Sequence, residues 1–236
     1  MRLDKYLADL QLGTRSQVKD FIKKGMITVN GTTITKADFK ISENSDCVTC
    51  KGKILSYQKY RYFLLHKPAG VITATKDNHD KTVMDLMPKE LANDFFPVGR
   101  LDKDTEGFLL ITNDGELSHR LLSPKKHVAK TYYVECNGIM TPEKCFDLEQ
   151  GVDIGDEKKT LPAKVEIIKT EENTYVMELT ITEGRFHQVK RMMIACDNEV
   201  TYLKRLRMGN LWLDDSLESG EYRPLTEEEL LLLEGE

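Results

Sequence analysis

The chain has 236 residues, 40% of them apolar and 31% charged, enough to build one sizeable core and a small second one. No apolar run approaches the roughly 20 residues that span a bilayer, and Met1-Arg2-Leu3-Asp4-Lys5 leads into an amphipathic pattern instead of a signal-peptide core, so a cytoplasmic protein is expected. The formal net charge of −5 argues against a nucleic-acid partner only until it is located: residues 214–236 carry −8, which leaves +3 for residues 1–213, with +4 in residues 1–58.

Leu3, Tyr6, Leu7 and Leu10 mark one face of a first helix, and Gly13 ends it. Thr14-x-x-Gln17 is a capping-box pattern that opens a second helix, with Val18, Phe21 and Ile22 as its buried stripe and Gly25 as its close. Arg15, Lys19 and Lys23 recur every four residues and so share an exposed face. Ile27 and Val29 alternate into Asn30-Gly31, a two-residue hairpin turn, and Thr33–Thr35 form the return strand. The segment from Met1 to about residue 48 resembles the S4 RNA-binding module. That resemblance implies a helix pair gripping structured RNA, with Arg2, Lys5, Arg15, Ser16, Lys19, Lys23, Lys24 and Asn30 as contacts. Cys47-x-x-Cys50 lacks the second ligand pair a zinc site needs, and five cysteines without framework spacing fit a reduced compartment.

Residues 51–60 are mixed and polar and read as a linker, dividing the chain into units 1–58 and 59–236. Beyond it, strand-like runs dominate: Tyr62–Leu65, Phe108–Thr112, Thr131–Val134 and Tyr175–Thr182, with two or three helices between them. The expected class is α+β, around a mixed, largely antiparallel sheet.

The most informative string is Gly99-Arg-Leu-Asp-Lys-Asp-Thr-Glu-Gly-Phe-Leu-Leu-Ile-Thr-Asn-Asp-Gly115. Asp102, Asp104, Glu106 and Gly107 imitate the opening of a calcium loop, but Asn113 stands where a bidentate Glu is needed, and the apolar run before it belongs in a buried strand. The string resembles the catalytic motif of pseudouridine synthases, Gly-Arg-Leu-Asp-x-x-Thr-x-Gly-Leu-Leu, and the resemblance assigns the essential carboxylate to Asp102. Lys130-Thr-Tyr-Tyr-Val134 fits the family's Lys-x-Tyr-x-Val and selects Tyr132. Glu183-Gly-Arg-Phe-His-Gln-Val-Lys-Arg-Met-Met193 fits Gly-Arg-x-His-Gln-Val-Lys/Arg-Arg-Met and makes Lys190 the cation that pairs with Asp102. If a helix starts near Phe186, its buried stripe is Val189, Met192, Met193 and Cys196. Leu65-His-Lys-Pro-Ala-Gly70 stands where the family has Asn-Lys-Pro-x-Gly, with His66 replacing the Asn. Arg205-x-Arg-Met-Gly209 and Glu221-Tyr-Arg-Pro-Leu-Thr226 extend the match.

The resemblance covers nearly the whole chain and is closest to the RsuA type, which modifies small-subunit ribosomal RNA. It implies an isomerase that binds ribosomal RNA and converts uridine to pseudouridine, and a monomer is the default expectation because the sequence carries no oligomerisation signal. That reaction carries no redox change, so neither cofactor nor metal is expected. Arg100 is the candidate to fill the gap left by a flipped base, and Arg120, Lys125, Lys126, Lys130, Arg185, His187, Gln188 and Arg191 are candidate RNA contacts. Sister enzymes that act on large-subunit RNA share the three motifs, and an S4 protein without catalysis is the alternative from outside enzymology.

Overall fold

The computed structural model of the chain describes residues 1–10, 12–43, 45–55, 59–92 and 94–234. It divides into two compact units, Met1–Lys59 and Tyr60–Glu236. The sequence-based boundary at residue 58 and the middle of the expected linker lie outside the described residues.

In the first unit, helices α1 (Leu3–Asp9) and α2 (Arg15–Lys23) pack beside four strands: β1 (Ile27–Val29), β2 (Thr32–Thr33), β3 (Val48–Cys50) and β4 (Lys53–Leu55). The strands pair antiparallel in the order β2-β1-β3-β4. The capping box forms as its spacing dictates: the Gln17 amide N–H donates to the Thr14 hydroxyl, and the Thr14 N–H donates to the Gln17 side chain. Asn30 and Gly31 both take positive φ, 49° and 78°, the backbone that a two-residue hairpin requires. Val18 and Ile22 are fully buried against Leu3, Leu7 and Ile27. The return strand is Thr32–Thr33, one residue earlier and shorter than the expected Thr33–Thr35, with Ile34 N–H still bonded to Ile27 O.

The second unit runs β5 (Tyr62–Lys67), α3 (Lys89–Ala92), β6 (Phe96–Val98), β7 (Glu106–Thr112), α4 (Gly115–Leu122), β8 (Lys130–Asn137), α5 (Pro142–Gln150), β9 (Lys164–Thr170), β10 (Thr174–Ile181), α6 (Gln188–Ala195), β11 (Glu199–Met208), β12 (Leu211–Trp212), β13 (Tyr222–Pro224) and α7 (Glu227–Glu234). Among the described residues its sheet has the order β13-β5-β7-β11-β8-β10-β9, with β6 on β7 and β12 on β11. Every pairing is antiparallel except β7 with β11. The chain is therefore the mixed, largely antiparallel α+β protein expected from its strand pattern. No helix among the described residues is long and apolar enough to cross a membrane.

The two halves of this sheet bury themselves differently, and the sequence shows why. β7 is apolar without a break from Phe108 to Ile111, because Phe108 and Leu110 enter one core with Leu117, Leu121 and Leu233 while Leu109 and Ile111 enter another with Met84 and Phe95. β8 and β10 alternate, because only one face is covered: Tyr132, Val134, Leu179 and Ile181 pack beneath Leu148, Val189 and Met192. Gly107, the second residue of β7, has φ 102°, and a Cβ there would run into the Arg205 carbonyl oxygen, so no other residue lets β7 and β11 approach so closely.

Candidate active site

Asp102 lies in the loop that enters β7, and the loop is held from below on both sides of it. The Thr73 hydroxyl donates to the Leu101 carbonyl (2.8 Å) and accepts from the Leu101 N–H (3.1 Å), fixing the residue before Asp102. After it, Thr105 N–H closes a turn onto the Asp102 carbonyl at 3.1 Å. The Lys67 ammonium donates to the carbonyls of Thr105 (2.7 Å), Pro68 (3.0 Å) and Lys103 (3.4 Å), and Gly70 N–H also reaches Lys103 O. Lys67 is fully buried, and burial pushes its ammonium down to about 8 although Asp104, Glu106 and Asp102 pull the other way. Lys67 and Thr73 are functional neighbours that sequence reasoning did not assign. Lys67 lies in the Leu65–Gly70 match to Asn-Lys-Pro-x-Gly, which could have drawn it in, whereas Thr73 carries no such signal.

α6 supplies the facing groups. Its stripe is the expected one, with Val189, Met192 and Met193 buried and Cys196 just past the end also buried. That orientation turns Lys190 toward the loop. Its Nζ donates to both oxygens of Asp104, at 2.6 and 2.7 Å, and stands 3.6 Å from Asp102 Oδ2. The expected pair is therefore a triad of charges in which Asp104, not Asp102, takes the direct hydrogen bonds. The physical reason is the 102–105 turn, which puts both carboxylates within reach of one ammonium. The Lys190 hydrogen bonds hold the Asp104 carboxyl below the usual carboxylate range. His187 Nε2 lies 3.5 Å from Asp102 Oδ1, on the other side of the carboxylate. His187 has φ 48° without glycine's freedom, which costs roughly 1–2 kcal/mol and aims its ring at Asp102. Tyr132 is buried on the sheet face beneath, in the same apolar cluster as Leu101 and Val189, the chain neighbours of Asp102 and Lys190. A partly exposed carboxylate with a cation beside it and an aromatic floor can meet an electron-poor carbon and hold a flat ring.

The expected RNA contacts divide. In the first unit Arg2, Lys5, Arg15, Ser16, Lys19, Lys23, Lys24 and Asn30 are all exposed, though Arg2 is bonded to Asp4 and the Asn30 amide to Asp46 and Cys47 N–H. In the second, Arg100, Arg120, Lys125, Lys126 and His187 are exposed. Gln188 is not: it is buried between Glu183 and the Arg185 N–H and braces the turn into α6. Arg185 and Arg191 are largely engaged internally, Arg185 with Glu183, Asp156 and the carbonyls of Lys158 and Lys159, and Arg191 with Asp156, Ile154 O and Phe186 O. They strap residues 154–159 to α6, which leaves Lys158 and Lys159 as exposed cations that the sequence reading passed over.

Lys130 also departs from its expected role as a phosphate contact. It is buried on β8, donates to Val128 O at 2.8 Å, and is pushed down to about 8 by burial and by Arg205. Its folded pKa lies below the unfolded value near 10.5, so the charged ammonium costs stability in full below about pH 8, and the cost fades as pH rises toward 10.5. Lys130→Met is expected to raise the unfolding free energy at pH 7 by about 1–3 kcal/mol. The gain should shrink by pH 10 in urea titrations; an equal gain at both pH values would show that the buried charge is not its source.

Residues 61–195 match the RNA pseudouridylate synthase family, and residues 1–47 match the S4 domain. A Bacillus subtilis protein named as an uncharacterized RNA pseudouridine synthase is 50% identical over 234 residues, 99% of this chain and 98% of that one. The ribosomal small subunit pseudouridine synthase A of Escherichia coli is 40% identical over 232 residues, 98% of each chain. A solved crystal structure of a pseudouridylate synthase superposes with a TM-score of 0.70 at 38% identity, covering 99% of both chains.

Proposed function

The chain belongs to the RNA pseudouridylate synthase family, and from that premise we propose that it isomerises a uridine of small-subunit ribosomal RNA to pseudouridine with Asp102 as the catalytic carboxylate. The observation that carries the residue assignment is the cation beside that carboxylate: Lys190 Nζ at 3.6 Å from Asp102 Oδ2, on a loop fixed by Thr73 and Lys67. The reaction breaks the N1–C1′ bond, turns the freed uracil and forms C5–C1′, while C5 loses a proton and N1 gains one. Atoms and electrons balance without an oxidant. Asp102 supplies the electron pair that the electron-poor carbon needs, Lys190 stands beside the carboxylate as its cation and orients it, and Tyr132 packs against the turning uracil. The exposed cations of α1 and α2 hold structured RNA by its phosphates, so the unit Met1–Lys59 is the grip and Tyr60–Glu236 the catalyst.

Support for the small-subunit substrate comes from near-full-length likeness to proteins carrying that name. The test is tritium release from small-subunit ribosomal RNA labelled at uridine C5, free or in assembling particles, with pseudouridine mapping of the product. Release at one mapped uridine is expected. Release only from large-subunit RNA would move the substrate, and none from either would remove the enzyme reading.

A further inference from the structure

Phe186 is 76% exposed, more than any other large apolar side chain among the described residues, and it stands one residue from the group that faces Asp102. Its ring lies flat on the His187 imidazole, centroids 3.8 Å apart and planes 17° from parallel. The backbone that carries it is fixed: Arg191 Nη1 donates to Phe186 O at 3.1 Å, and Arg185 N–H donates to the buried Gln188 Oε1 at 2.9 Å. A ring covered on one face and bare on the other is half of a stack. Beside it, Arg185 donates to the main-chain carbonyls of Lys158 and Lys159 at 2.6 and 2.8 Å, and its own charge is met by Glu183 and Asp156. A bare aromatic face on a fixed backbone, one residue from the group that faces Asp102, suits a nucleobase, since stacking on one exposed ring contributes about 1–3 kcal/mol per base.

We propose that Phe186, backed by His187, stacks on the unpaired base next in the strand to the uridine held at Asp102, and so sets the register of the RNA in the site. The proposal rests on the pseudouridine synthase reading and adds a positioning residue to it. Tyr132, buried, receives the target uracil; Phe186, exposed and one ring further out, receives its neighbour. Rigidity matters here because a mobile side chain would lose in ordering what the stack gains.

The experiment uses an RNA fragment spanning the uridine mapped for the wild type, with 2-aminopurine placed in turn on either side of it. Wild type and Phe186→Tyr are expected to quench one of the two probes on binding. Phe186→Leu and Phe186→Ala should leave both bright and lose roughly 5- to 150-fold in kcat/KM, the range set by loss of one base–aromatic stack. The loss should lie mainly in KM, with the rate at saturating RNA within about threefold of wild type. Phe186 touches little beyond His187, so these variants keep the fold. If Leu serves as well as Phe, or if the wild type quenches neither probe, the stack does not exist. A wild type that forms no pseudouridine in any RNA tried sinks the parent reading and this proposal with it, whereas an active wild type matched by Phe186→Ala in kcat/KM sinks the stack alone.

Discussion

Asp102→Asn is expected to yield a folded protein that binds RNA as before and forms pseudouridine slower by on the order of 10⁴-fold or more. The fold should survive because the carboxylate takes no part in fixing its own loop: Thr73 grips Leu101, Lys67 grips the carbonyls of Lys103 and Thr105, and the turn closes through the Asp102 main-chain oxygen. An amide of the same size fits the same space with 28% of the side chain exposed, and removes only the charge and its electron pair. Tritium release in a single turnover measures the loss, and the urea midpoint checks the fold. Restoration of the modification by the Asn protein in a strain lacking the enzyme would refute the assignment.

Much of the architecture was legible because it is local. Thr14 and Gln17, Asn30 and Gly31, and the stripe of Val189, Met192 and Met193 each follow from spacing over a few residues, and each forms. The unbroken apolar run Phe108–Ile111 announced a strand covered on both faces. Meetings between distant segments were not legible from spacing. Lys67 holds a loop nearly forty residues away, and a periodic pattern says which face a residue takes but not what it meets there. The same limit explains Lys130 and Gln188, polar residues read as RNA contacts whose partners are backbone and side chains inside the fold. Asp104 was passed over in favour of Asp102, and no pattern in the sequence shows that a turn points both carboxylates at one ammonium.

That shared ammonium leads to the second large effect. Lys190→Met is expected to lower kcat/KM by roughly 5- to 10³-fold, since charges 3.6 Å apart at a partly exposed site interact by about 1–4 kcal/mol and Met keeps the packing while removing the charge. Asp104→Asn should have the opposite character. Asp104 now takes the short bonds at 2.6 and 2.7 Å while its side chain is 71% exposed, so it competes with Asp102 for the cation at little cost to itself. Neutralising it leaves Asp102 as the remaining carboxylate on Lys190, and activity should stay equal to wild type or rise by up to about threefold. The double variant Asp104→Asn, Lys190→Met should be no slower than Lys190→Met alone, because the short hydrogen bonds of the Asp104 carboxylate go to that ammonium. Steady-state kinetics on the same RNA for the four proteins closes the cycle. A loss in Asp104→Asn as deep as that in Asp102→Asn would mean that the direct partner of Lys190 is the essential carboxylate and that the site is centred two residues further along the turn.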